Sequence, residues 1–244
     1  LQVKKVIVAS SQAVYGEGKY LCGQHGMQYP LPRPLAQLGI GDWELKCPVC
    51  GKKMQWLSTD ETRVSPHNQY AVSKYSQELY AITLGRRWSI PTVALRYSIT
   101  QGPRQSFHNA YSGILRIFSV RFLNNLPPIV YEDGQQLRDY VYVGDVAQAN
   151  ILVMENDMAN YEVFNVGGTE VLSVIDYAKL ILKVMGKSIA FKIPGEFRFG
   201  DVRHIVSDIS KLQKLGWTPR ISLEQVVTKY LDWVKSQPQV ADHY

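Results

Sequence analysis

No stretch of the 244-residue sequence approaches 18 consecutive apolar residues, and no signal-peptide pattern is present. A protein with no membrane association, cytoplasmic in location, is the expectation. Cysteine is scarce: three residues, an odd number, argue against a disulfide framework. Internal repeats and low-complexity tracts are missing as well. The formal net charge is +6, yet no stripe interleaves basic and aromatic side chains, so nucleic acid is not the expected partner. A few arginines converging on a small anion explain the bias at least as well.

Hydrophobic patterning predicts alternating strands and helices. Val6-Ile7-Val8-Ala9 reads as a short buried strand within 3–9, followed by Ser10-Ser11 and Val14-Tyr15-Gly16. A helix is predicted from about Pro66 to Trp88, then a parallel strand over Thr92–Tyr97 that ends in Gly102-Pro103-Arg104. A second helix is predicted over about 112–124, with Ile114, Ile117, Phe118 and Phe122 at core spacing. Ile129-Val130-Tyr131 and Leu137–Val143 read as strands, and Asp145 is placed to cap a helix through Met154. Val163–Val166 is a strand closed by Gly167-Gly168, and Ser173 caps a helix that stops at Gly186. Alternation of Ile189, Phe191 and Ile193 predicts one more strand, and helices near 209–215 and 223–236 follow, the latter capped by Ser222.

Two constellations carry chemistry. Tyr70 and Lys74 stand four residues apart, on one helix face and one turn from each other. A cation beside a phenol favours the phenolate and makes it usable as a base. Ser11 follows a strand, the position where open α/β sheets place their chemistry. The other constellation lies in 17–66, an irregular Gly/Pro-rich stretch too long for a bare loop. It contains Cys22, His25, and the turn Cys47-Pro48-Val49-Cys50-Gly51. Together they offer a closed Cys3His set suited to structural zinc, a staple for a segment that cannot bury a core of its own.

Strand, serine, then a helix with Tyr and Lys resembles the catalytic layout of the short-chain dehydrogenase/reductase family. Ser-Ser-x-x-Val-Tyr-Gly points to its extended branch, the nucleotide-sugar epimerases and dehydratases. Asp133-Gly134-x-x-x-Arg138-Asp139-Tyr140-x-x-Val143-x-Asp145 is similar to that branch's substrate-domain signature, and Phe164-Asn165-Val166-Gly167-Gly168 and Arg198-Phe199-Gly200-Asp201 match two further motifs. The Cys-Pro-x-Cys-Gly insertion, ending in Thr59-Asp60-Glu61, resembles a subgroup of rhamnose 4-epimerases.

The resemblance implies an α/β fold: the C-terminal part of a Rossmann-type doubly wound parallel sheet, a small α/β substrate domain and a zinc-ribbon-like insertion. The Rossmann-type core would comprise 1–16 and 67–107, the insertion 17–66, and the substrate domain most of 108–244, with returning Rossmann elements over about 129–166. It implies a homodimer acting on a nucleotide diphosphate sugar with NAD. Tyr70 as phenolate would take a proton from the sugar hydroxyl, Ser11 would hydrogen-bond the same oxygen, and Lys74 would hold the nicotinamide ribose, with Tyr97 beside the cofactor. Arg138, Arg198 and Arg203 would converge on the diphosphate, and Asn109 would add a neutral donor. Dehydratases of this branch carry Asp-Glu after the serine position; Gln12-Ala13 here favours a 4-epimerase. A nucleotide-sugar dehydratase or keto-sugar reductase of the same family, and a binding protein that has lost catalysis and uses the zinc module for interaction, are the alternatives. No Gly-x-x-Gly-x-x-Gly turn occurs, so these residues alone are not expected to complete a pyrophosphate site.

Overall fold

The computed structural model describes residues 3–106 and 113–237. Its central layer is a parallel sheet in the order β1-β5-β8, built from β1 (Val6–Ser11), β5 (Thr92–Tyr97) and β8 (Val163–Val166). β5 is buried along nearly its whole length, as a strand covered on both faces must be. In register, Val8 meets Ala94, and Ser11 at the end of β1 meets Tyr97 at the end of β5. Leu95, Phe164, Val153 and Trp217 belong to the core on this sheet, packed with α4 (Val143–Glu155) and α6 (Ser210–Gln213).

Past Ser98 the chain crosses to a second sheet, where β6 (Ile99–Gln101), β7 (Leu137–Tyr142) and β10 (His204–Ile205) run parallel and β9 (Val171–Ser173) joins β7 antiparallel. Its core unites α3 (Ile114–Leu123), α5 (Val174–Met185) and α7 (Leu223–Lys235). Phe118 and Phe122 lie there as core, and Tyr140 stacks on Tyr177 with ring centres 4.2 Å apart. The paired glycines after β8 are required by close approach: a Cβ on Gly168 would lie 2.0 Å from the Tyr140 carbonyl oxygen. The caps on α5 and α7 are those expected, Ser173 accepting from the Asp176 amide and Ser222 forming a capping box with Gln225.

The insertion folds as a three-stranded antiparallel sheet, β3-β2-β4, from β2 (Lys19–Cys22), β3 (Gly26–Gln28) and β4 (Gln55–Leu57), with the short helix α1 (Leu35–Gly39) between. Its return, Thr59-Asp60-Glu61, is tied to the parallel sheet: Glu61 Oε1 accepts from the Asn165 amide at 2.8 Å.

Several boundaries differ from expectation. The helix that carries Tyr70, α2 (Gln69–Arg87), starts later than Pro66 because Asn68 caps it, accepting from the Ala71 amide. Asp145 is not a cap. Tyr142 holds that position, and Asp145 sits buried in the first turn of α4, accepting from the amides of Arg220 and Ile221. Neither 129–131 nor 189–193 forms a strand. Alternation alone cannot supply a ladder, and the two segments meet in a single bridge, Ile129 to Lys192. Among the described residues no helix is long and apolar enough to cross a membrane.

Candidate active site and cysteine cluster

The ends of β1 and β5 open onto a cleft of about 300 Å³ whose lining includes Ser11, Gln12, Pro32, His67, Tyr97 and Arg138. Ser11 is half-buried at its floor and begins a 3-10 turn, its Oγ accepting from the Ala13 amide at 3.2 Å. Gly16 closes that turn at φ 60°, and a Cβ there would lie 2.5 Å from the Ser65 carbonyl oxygen. The Val-Tyr-Gly motif therefore brings the segment before α2 hard against the serine turn. Tyr97 lines the same cleft, but its hydroxyl is engaged, donating to Asn150 Oδ1 at 3.0 Å.

α2 packs on the sheet through an unusual face. Its buried residues are Ala71, Glu78 and Gly85, while Leu79 and Leu84 face solvent. Burial of Glu78 is possible because Arg96, on β5, meets it with Nη2 to Oε2 at 2.7 Å and Nε to Oε1 at 2.9 Å. Ser10 donates to the same carboxylate, and Arg96 Nη1 also donates to the Tyr15 hydroxyl oxygen at 3.0 Å. This network fixes the rotation of α2, and with it Tyr70 and Lys74. Lys74 Nζ donates to the Ala9 carbonyl at 2.8 Å, two residues before Ser11, and stands 6.0 Å from the centre of the Tyr70 ring. Tyr70 itself is 55% exposed, its ring accessible at the start of the helix.

Of the three arginines expected at a diphosphate, two share a second cleft of about 370 Å³: Arg138 and Arg198, together with Tyr131 and Asp201. Arg138 bridges both clefts and donates to the carbonyls of Leu137, Val202 and Arg203. Arg198 lies over the Tyr131 ring, 4.5 Å from its centre. Arg203 is placed elsewhere. Only 1% exposed, its guanidinium is surrounded by Glu44, Glu132 and Asp133, with Nη1 to Asp133 Oδ1 at 2.6 Å and Nη2 to Glu44 Oε1 at 2.8 Å. Its donors are consumed by carboxylates, so it serves packing and not an incoming phosphate. Asn109 lies outside the described residues.

The cysteine cluster is drawn together from both ends of the insertion. Cys22, at the end of β2, has Sγ 3.6 Å from His25 Nδ1 and 3.7 Å from Cys50 Sγ, and Cys47 Sγ lies 3.6 Å from the same Nδ1. All four ligand atoms fall within 4.8 Å of one another. Tyr20, Leu45 and Met54 pack around it as a small core. Hydrogen bonds from the backbone amides of Gln24 and His25 help draw the Cys22 thiol down to about 6, toward the thiolate a metal takes.

Residues that the sequence did not single out complete these surroundings: Glu17, Pro32, His67 and Asn68 at the cleft, with Arg33 paired to Glu17. Asn68 carried a legible signal as a helix cap. The others are brought in by long-range contacts that leave no local pattern.

Residues 48–167 match the Epimerase family, described as the NAD dependent epimerase/dehydratase family. Over 242 residues the chain is 32% identical to a dTDP-L-rhamnose 4-epimerase of Burkholderia thailandensis, covering 97% of this chain and 64% of that protein. Among solved structures, it is similar to a UDP-N-acetylglucosamine 4-epimerase from Methanobrevibacter ruminantium in complex with UDP-N-acetylmuramic acid, with a TM-score of 0.74, 31% identity, and 96% and 64% of the two chains covered. It is also similar to the Thermus thermophilus UDP-glucose 4-epimerase complex with NAD, with a TM-score of 0.70, 26% identity, and 96% and 65% covered. The chain thus spans a little under two thirds of the length of these relatives. Its parallel sheets match those structures, and with the serine, tyrosine-lysine and arginine motifs in one fold, the chain carries the domain of the NAD dependent epimerase/dehydratase family.

Proposed function

We propose that the chain carries the catalytic and sugar-binding part of a nucleotide-sugar 4-epimerase that uses NAD. The observation that carries this reading is the contact of Lys74 Nζ with the Ala9 carbonyl, which pins the Tyr-Lys turn of α2 to the strand that ends in Ser11. Tyr70, accessible at the helix start, takes the proton from the sugar C4 hydroxyl, and the Ser11 hydroxyl steadies the oxygen as charge develops. Lys74, held by Ala9, keeps a positive charge beside the phenol and is placed to hold the ribose of the dinucleotide. NAD, when bound with its ribose on Lys74, would supply the hydride acceptor and donor that inversion at C4 needs. Arg138 and Arg198, which share the second cleft, are the cations offered to the diphosphate. A paired acid and base for removing water is not offered next to Ser11. Gln12 is buried, its Oε1 accepting from Ser207 Oγ at 3.2 Å, and Ala13 has no functional group.

Incubating the protein with NAD and either a UDP- or a dTDP-hexose, followed by proton NMR of the products, tests the reaction. Inversion at C4 without loss of water is expected; accumulation of a 4-keto-6-deoxy sugar would replace this reading with that of a dehydratase.

The same reading gives the insertion one structural zinc held by Cys22, His25, Cys47 and Cys50. Tetrahedral zinc with Zn–S of about 2.3 Å and Zn–N of about 2.0 Å requires sulfurs ~3.8 Å apart and sulfur-to-nitrogen distances of ~3.5 Å. Three of the cluster's separations, one of 3.7 Å and two of 3.6 Å, fit those edges, and all stay within 4.8 Å. With all four positions filled by protein, the metal supplies cross-linking and no open coordination site. Elemental analysis of protein purified without added metal is expected to give one zinc per chain; a value near zero rejects the assignment.

A further inference from the structure

The insertion does more than hold itself together. Arg33, only 3% exposed, lies on the segment between β3 and α1 and reaches three other parts of the chain. Its Nη1 donates to the Trp43 carbonyl at 2.9 Å, on the approach to the Cys47 turn. Both terminal nitrogens bind Glu132, at 3.0 and 2.9 Å, on the turn that follows Tyr131. Nη2 also donates to the Asp201 carbonyl at 2.7 Å. Asp201 and Val202 line the cleft that Ser11 floors, and the Val202 carbonyl is one of the acceptors holding Arg138.

A second arm runs parallel to the first. Glu44 stands three residues before Cys47 and binds Arg203 through Oε1 at 2.8 Å. The Arg203 carbonyl in turn accepts from Arg138 Nη1 at 2.9 Å. Between Glu44 and Cys47, Leu45 is buried in the small core around the cysteines, where Tyr20 packs against the His204 side with ring centres 6.5 Å apart. Both arms therefore leave the cysteine cluster and end on residues 201–204, the bed of the Arg138 guanidinium.

We propose that Arg33 and Glu44 are positioning residues through which metal occupancy of the Cys22, His25, Cys47 and Cys50 cluster sets the shape of the nucleotide-sugar cleft. The proposal rests on the reading of that cleft as a diphosphate site. Metal at the cluster closes the Cys47 turn, and the closed turn fixes Trp43 and Glu44. These two hold Arg33 and Arg203 against the turn at Glu132, and residues 201–203 are held so that the Val202 and Arg203 carbonyls aim Arg138 into the cleft. Loss of the metal releases the chain of contacts at its origin, and the cleft loses its charged wall without any change at Ser11, Tyr70 or Lys74.

Hydrogen exchange followed by mass spectrometry, on wild type, on wild type stripped of metal with a chelator, and on Glu44→Gln and Arg33→Lys, tests this together with calorimetric titration of UDP and dTDP. Metal removal is expected to speed exchange at least tenfold over 198–204 as well as over 19–57, to leave 92–97 unchanged, and to weaken nucleotide binding at least tenfold. Glu44→Gln and Arg33→Lys are expected to retain one metal per chain while loosening 198–204 and weakening the nucleotides severalfold. Faster exchange confined to 19–57 in the stripped protein, or an unaltered 198–204 in both metal-loaded variants, overturns the proposal. Propagation to 198–204 in a protein whose wild type binds neither nucleotide upholds the coupling and overturns the diphosphate reading instead.

Discussion

Two buried charge networks hold this molecule, and they differ in what they join. In one, Glu78 and Arg96 form a one-to-one pair between α2 and the strand it covers, completed by Ser10 and Tyr15. In the other, Arg33 and Arg203 are shared among Glu17, Glu44, Glu132 and Asp133, which come from three separate stretches of chain. The first sits within the sheet-and-helix layer and fixes the rotation of the helix bearing Tyr70. The second lies between the insertion and the arginine side of the cleft and fixes their docking. A buried guanidinium costs little only while its carboxylates stay in place, so each network makes its interface all-or-none.

Breaking the second network should cost most. Arg203→Met takes from the buried Glu132 one of its two guanidinium partners and removes the cation from the part-exposed Glu44 and Asp133, and about 4 kcal/mol of stability should be lost. Chemical denaturation monitored by tryptophan fluorescence measures it; a loss under about 1 kcal/mol would mean that the carboxylates are protonated or solvated and the network is not the clamp described. The first network should respond to both single substitutions but forgive the pair. Arg96→Met alone should cost about 3 kcal/mol, whereas Arg96→Met with Glu78→Leu should return to within about 1–2 kcal/mol of wild type, since an apolar pair of similar volume can replace a buried salt bridge. Additive losses in that cycle would show that Ser10 and Tyr15, and not the ion pair, hold the helix.

Acid sharpens the contrast further. His204, and against partial burial Arg203, hold the Glu44 carboxyl down to about 2, and Lys19 and Thr62 do the same for Asp60 despite its partial burial. A carboxylate depressed in the folded state adds stability above its unfolded value, near 4.5 for Glu44, and that stability drains away as pH falls toward 2. Thermal midpoints taken from pH 6 to 2.5 should therefore fall in this window, and Glu44→Gln should flatten part of the fall. An identical slope in the variant would remove Glu44 from the linkage.

The same contrast explains what was legible beforehand. β5, β8, α5 and α7 were readable because local rules decide them: a continuous apolar run, closing glycines, and serine caps three residues ahead of their partners. Tyr70, Lys74 and Ser11 were readable as a motif, and the four metal-type ligands as a pattern of spacing. The sequence could not show that Arg203 faces inward, because Glu44, Glu132 and Asp133 converge on it only after folding. Nor could it show that the alternating Ile189–Ile193 stretch has only a bridge to pair with, since alternation marks a face and says nothing of a neighbour. Arg33 had no local mark at all, although its two terminal nitrogens make four hydrogen bonds.

The central claim is that the exposed tyrosine at the head of α2 carries the proton transfer, with the Lys74–Ala9 contact holding its neighbour in place. Single-turnover assays of C4 inversion on Tyr70→Phe, alongside calorimetric titration of the same nucleotide sugar, test it most directly. Removal of a positioned acid–base group should lower the rate by about 10²–10⁴-fold, while the affinity for the nucleotide sugar stays within about twofold of wild type, because Arg138 and Arg198 are untouched. Inversion at the wild-type rate in Tyr70→Phe would contradict the account.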